Sequence, residues 1–155
     1  MDPETRLTEL GLELPPSPKA MAVYAPIVLA GNWAFLSGHG PLRSDGSLIT
    51  GRVGADLDRQ AGYAAARQAG LALLATLRTE LGTLNRIRRV IKVLGMVNCT
   101  AEFDEHPAVI NGCSELFVSV LGPSAGLSAR SAVGVGSLPF GIPVEIEAIV
   151  EVDAG

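Results

Sequence analysis

A chain of 155 residues that is 48 % hydrophobic and 18 % charged has the apolar mass for one folded domain, which excludes a disordered polymer. Its formal charge is −4, and its arginines gather only at Arg86, Arg88 and Arg89 with no aromatic residue between them, which argues against a nucleic-acid-binding face. Only 5 % of the residues are aromatic, so the core must be Ala, Val, Leu and Ile, and leftover aliphatic surface is expected to be buried between copies of the chain.

In chain order, MDPETRLTELG is too acidic to read as a signal peptide and predicts at most one short helix. LPPSPK then blocks regular structure with three prolines, so residues 1–20 are expected to be a peripheral extension of a single domain over 21–155. The apolar run Met21–Gly31 is interrupted by Pro26 and is too short to span a bilayer. With Cys99 and Cys113 in no CxxC pattern, the expectation is a cytoplasmic, reduced protein without disulfides or membrane contact. Met21–Ala30 and Trp33–Ser37 read as strands about a Gly31-Asn32 turn. Ser37–Gly51 reads as a loop holding a second hairpin turn at Asp45-Gly46.

Asp56–Leu81 predicts a helix, capped by Asp56 and stopped by Gly82, with Leu57, Ala61, Ala65, Leu74, Leu77 and Leu81 roughly on one face. Ile87–Val97 is apolar on both faces, as in a central strand, with Ile87, Ile91, Val93 and Val97 on one side and Val90, Leu94 and Met96 on the other. His106–Leu121 predicts a second helix, with Pro107 in its first turn and Gly122-Pro123 beyond its end. Cys113 falls on its apolar stripe, the place of a buried structural thiol. Two further strands flank LPFGIP. The order β-β-(β)-α-β-α-β-β predicts an α+β domain, one sheet with both helices on one face.

His39 and His106 have no partner at metal-ligand spacing, and the chain holds no phosphate-binding loop and no GxSxG elbow, so neither a metal nor a cofactor is expected. What remains are three charges in SARSAVGVGSLPFGIPVEIEAIVEV, residues 128–152. Val144–Val152 alternates with period two, which puts Glu145 and Glu147 on one face and the aliphatic residues on the other. Arg130 shares its face with Ala132, Gly134 and Gly136, which add no bulk beside it. Its planar fork suits a carboxylate. Two readings stand level: an anchor for a ligand carboxylate, or a structural salt bridge to Glu145 or Glu147.

The same stretch resembles the C-terminal signature of the reactive intermediate deaminase (RidA) family, also called the YjgF or endoribonuclease L-PSP family. The likeness lies in Ala-Arg-Ser, the alternating valines, Leu-Pro and the Val-Glu-Ile-Glu-Ala strand, and YAPIVLAGNWAFLSGHGP is similar to that family's first hairpin. The resemblance covers about residues 20–152. It implies a chorismate mutase-like fold with a single mixed sheet of about six strands, a homotrimer with clefts between subunits, and a crossover between the last two strands. It also implies hydrolysis of 2-imino or enamino acids to 2-keto acids and ammonia without a cofactor. Arg130 would then hold the substrate carboxylate and Glu145 would position or activate water. Tyr24, Ser37, Gly38, Asn111 and Ala132 would line the cleft. His39 stands where the family has glutamine and reads either as a proton carrier near the cleft or as a loop histidine with no function, Ser128 replaces the family's proline, and Ala132 replaces its cysteine, keeping a backbone N–H but no thiol. A non-catalytic trimer binding small carboxylates is the alternative reading, and a ribonuclease or translation inhibitor ranks behind it because of the acidic charge.

Overall fold

The computed structural model describes Met1–Gly155. The first helix, α1 (Pro3–Glu9), is capped by the Asp2 carboxylate, which accepts the Thr5 N–H at 2.9 Å. This segment is not loose: Leu7 is buried in the core, Glu4 accepts the Leu84 N–H at 2.9 Å, and Glu4 pairs with Arg78 at 2.8 Å. Residues 12–20 have no regular structure, in keeping with their prolines.

β1 (Ile27–Ala30) starts six residues later than expected, because Pro26 has no N–H to give a ladder. β2 (Trp33–His39) runs two residues further than expected, through Gly38 to His39. Ala30 pairs with Trp33 around the turn, where only Gly31 takes a positive φ, of 59°. The turn at Asp45-Gly46 closes a single bridge, Leu42 to Leu48, and not a strand.

α2 (Arg59–Leu81) begins after Asp58, whose side chain accepts the Ala61 N–H at 2.8 Å. Asp56, the expected cap, instead accepts the Arg52 N–H at 2.8 Å and closes the preceding loop. Gly82 ends α2 in the left-handed region at φ 82°. α3 (His106–Leu121) has its predicted bounds and is followed by a single turn, α4 (Pro123–Gly126). Gly112 of α3 lies against the Tyr63 carbonyl of α2, so the two helices meet where neither carries bulk.

β3 (Ile87–Asn98) is central, with β4 (Ala129–Val135) parallel to it on one side and β5 (Val144–Val152) antiparallel on the other. The sheet order is β1-β2-β5-β3-β4, five strands rather than about six. β4 and β5 are consecutive in the chain yet separated by β3, so the LPFGIP connection is a crossover. Along β3 the pairing with β5 slips between Val90 and Lys92. The slip makes Ile91 an extra residue and returns Val90 to the buried face, where it meets Val150. The even alternation predicted for β3 fails there for that reason.

In β5 the alternation holds: Val144, Ile146, Ala148, Val150 and Val152 are buried, and Glu145 and Glu147 point to the other face. α2 and α3 cover the buried face together. The opposite face is open and apolar, with Trp33 42 %, Phe35 45 % and Val133 42 % exposed. No helix is long and apolar enough to cross a membrane.

Candidate functional site

Arg130 pairs with Val93 at the edge of the sheet and turns its side chain to the helix side. Its Nη1 donates to Asn111 Oδ1 at 2.8 Å and to Ser114 Oγ at 3.2 Å, both on α3. Asn111 and Ser114 are three residues apart, on the flank of α3 beside its apolar stripe, and so reach the same nitrogen. Nε and Nη2 donate to no protein acceptor, and Arg130 takes part in none of the three salt bridges. The structural salt bridge to Glu145 or Glu147 therefore does not form within the chain: both glutamates lie on the open face, with β3 between their strand and β4. Asn111, Ser114, Ser119, Ser128 and Arg130 line a groove of about 560 Å³.

The face that Arg130 shares with Ala132 and Gly134 is not bare. Ala132 packs against the core, and a Cβ at Gly134 would fall 2.5 Å from His106 Nε2 and 3.0 Å from Cys99 Sγ. Glycine stands there because the α3 N-terminus approaches closely, not because a ligand needs the space. Cys113 is fully buried and its thiol is pushed up by desolvation, which fits a structural role.

Glu145 belongs to a second cavity, of about 800 Å³, together with Tyr24, Ser37, Gly38 and Glu147. A Cβ at Gly38 would lie 2.7 Å from Glu145 Cδ, so the missing side chain is what seats the carboxyl. Burial, and then the charge of Glu147, raise the Glu145 pKa above its ordinary value. The Ser37 hydroxyl donates to the Ala25 carbonyl at 2.6 Å, which ties β2 to the segment that carries Tyr24. Residues expected in one cleft thus fall into two groups: Arg130 and Asn111, with Ala132 on the same strand, and Tyr24, Ser37, Gly38 and Glu145 elsewhere.

His39 is not a loop residue. It ends β2, is buried, and neighbours this second cavity. Its Nδ1–H donates to the Ser37 carbonyl at 2.6 Å and its Nε2 accepts from the Thr76 hydroxyl at 2.7 Å. Desolvation holds its pKa below the usual value. With both ring nitrogens hydrogen-bonded, His39 ties β2 to α2.

Sequence reasoning missed Ser114 as the second partner of Arg130, although its place three residues after Asn111 signals it. It also missed the apolar wall of the second cavity, formed by Met21, Leu42, Leu48, Phe140 and Ile142. Phe140 has φ 58° and is the only residue other than glycine with a positive φ. With Gly141 at φ 69° it makes a primed-type turn, closed by the Ile142 N–H on the Pro139 carbonyl at 3.3 Å. An aromatic residue in that region costs about 1–3 kcal/mol.

Residues 4–141 match the family model described as "YjgF/chorismate_mutase-like, putative endoribonuclease". The chain is 40 % identical to protein TCP17 of Trypanosoma cruzi over 95 % of its own length and 92 % of the relative's. Among solved structures, Atu1372 of Agrobacterium tumefaciens, whose function is unknown, is 45 % identical, covers 97 % of this chain and 94 % of its own, and gives a TM-score of 0.88. A protein of Shewanella oneidensis MR-1 described as a "putative endoribonuclease" is 32 % identical with a TM-score of 0.93, covering 98 % of this chain and all of its own. RidA of Psychrobacter sp. is 26 % identical with a TM-score of 0.60, covering 88 % of this chain and 94 % of its own.

Proposed function

The chain belongs to the YjgF/chorismate mutase-like family, the RidA/YjgF/L-PSP group, and from that premise we propose that it hydrolyses reactive 2-imino and enamino acids to 2-keto acids and ammonia. The observation that carries this reading is the state of two charges. Arg130 is held by Asn111 and Ser114 with most of its fork free, and Glu145 is seated against Gly38 with a raised pKa and no hydrogen-bonding partner. They occupy different cavities of one subunit, so a complete site takes Arg130, Asn111 and Ser114 from one copy and Glu145, Tyr24 and Gly38 from its neighbour. On this reading a homotrimer brings the two groups together at each of its three subunit boundaries.

A substrate carboxylate pairs with the free Nε and Nη2 of Arg130, which fixes the imine carbon C2. Glu145 takes a proton from water as its oxygen bonds to C2 and the C=N electron pair moves to nitrogen. It returns that proton to the amine, and as the C–N bond breaks and C=O forms the hydroxyl proton passes to the Glu145 carboxylate and leaves with the ammonia as ammonium. A carboxyl with a raised pKa suits both steps better than an ordinary one. The protonated imine is already electrophilic, and each turnover consumes one water and releases one ammonia.

The test generates 2-iminobutanoate in situ and follows keto-acid release. Wild type is expected to accelerate release, and Arg130→Ala to abolish the acceleration by raising KM and lowering kcat. Equal rates with and without wild-type protein would sink the proposal. The Arg130 groove can bind a carboxylate without Glu145, which favours a non-catalytic binding protein as the second reading. Calorimetry that finds tight 2-keto acid binding, with no turnover of the imine, selects that reading.

A further inference from the structure

We propose that the Phe140 wall of the second cavity makes this protein selective for 2-imino acids with a large apolar side chain, of the leucine, methionine or phenylalanine type. This rests on the deaminase reading of the Glu145 site and assigns its substrate class. The cavity is about 800 Å³, within the range of sites that enclose drug-sized ligands and far more than a four-carbon acid needs. Its chemistry is mixed. Its lining holds the polar Tyr24, Ser37, Glu145 and Glu147 together with the apolar Met21, Leu42, Leu48, Phe140 and Ile142. A substrate with its imine carbon near Glu145 shares the cavity with these apolar residues, which are then available to its side chain. The wall matches a hydrocarbon or thioether chain. It does not suit an acidic one, because Glu145 and Glu147 line the same space and the one cation that the subunit itself contributes there, Lys19, is exposed.

Phe140 is the decisive residue. Its turn asks for Asn or Gly, which adopt a positive φ without strain. The chain instead places an aromatic ring there, and the ring remains 66 % exposed although it lines the cavity. Neither backbone preference nor core packing accounts for it, and a ligand side chain laid against the ring does.

Imino acids are generated in situ from 2-aminobutanoate, leucine, methionine and phenylalanine by an amino-acid oxidase, and kcat/KM is compared between wild type and Phe140→Asn. The substitution removes the ring and eases the turn, so the fold is retained. Wild type is expected to favour the large substrates over 2-iminobutanoate by about tenfold or more, and Phe140→Asn to lose most of that ratio. A ratio unchanged by the substitution overturns the inference. So does native mass spectrometry showing that Phe140→Asn disperses the assembly, which would assign the ring to a subunit contact. Calorimetry with 2-oxobutanoate, 4-methyl-2-oxopentanoate and phenylpyruvate separates this inference from the deaminase reading. Equal affinities overturn the side-chain inference whether or not there is turnover. Selective binding of the large acids without turnover supports it and refutes the deaminase reading alone.

Discussion

Arg130 engages its own subunit through a single nitrogen, and Glu145 accepts no hydrogen bond at all. For Glu145 this has a consequence for stability. Burial raises its folded pKa above the ordinary 4.5, so between those two values the native state binds more protons than the unfolded chain. Stability then falls as pH rises through that window. Glu145→Gln carries no such charge. It is expected to unfold at higher urea than wild type at pH 7, and the difference is expected to vanish below about pH 4. Urea melts at matched protein concentration check this, and a less stable Glu145→Gln at pH 7 would show that the carboxylate is stabilised by contacts the subunit does not display. The same variant is expected to lose imine hydrolysis, so stability and activity move in opposite directions.

At the scale of elements, the site depends on how β2 is held. The His39 ring and the Ser37 hydroxyl fasten the end of β2 to α2 and to the segment after Tyr24. Gly38 between them presents bare backbone to Glu145. Gly38→Ala forces the carboxyl to move, because the new methyl would sit 2.8 Å from Oε2. Activity is expected to drop about a hundredfold, as misplacement of a reacting group by about 1 Å can cause. The folded state survives, since the clash is with the end of a flexible side chain. Kinetics alongside thermal melting test this; a collapse of the melting temperature would mean that Gly38 serves the fold rather than the site.

For the whole molecule, the open sheet face is the largest unresolved debt of a single subunit. Trp33, Phe35 and Val133 leave it exposed and apolar, and Val28, Phe35, Leu94 and Ile149 line a depression of about 530 Å³ on it with Lys92 and Glu147. Such a face is expected to be covered by other copies. Phe35→Glu places a charge in its middle. Native mass spectrometry is expected to show trimers for wild type and monomers for Phe35→Glu, with imine hydrolysis lost although Phe35 lies in neither the Arg130 groove nor the Glu145 cavity. A monomer that kept full activity would refute the shared site.

Much of this was legible in residues whose message is local. The alternation of Val144–Val152 separated the glutamates from the core, and the stripe of His106–Leu121 marked both the bounds of α3 and the flank on which Asn111 lies. Helical and pleated periods are properties of a few consecutive residues, so the sequence alone carries them. The relative phase of two strands is not such a property. Whether Arg130 and Glu145 share a face depends on how β4 and β5 pair with β3, and β5 reaches its place only by crossing to the far side of β3. The extra residue at Ile91, the clasp of His39 on Thr76 and the separation of the charges into two cavities arise from contacts between distant segments. Only the tertiary structure decides them, because no short window of sequence holds both partners.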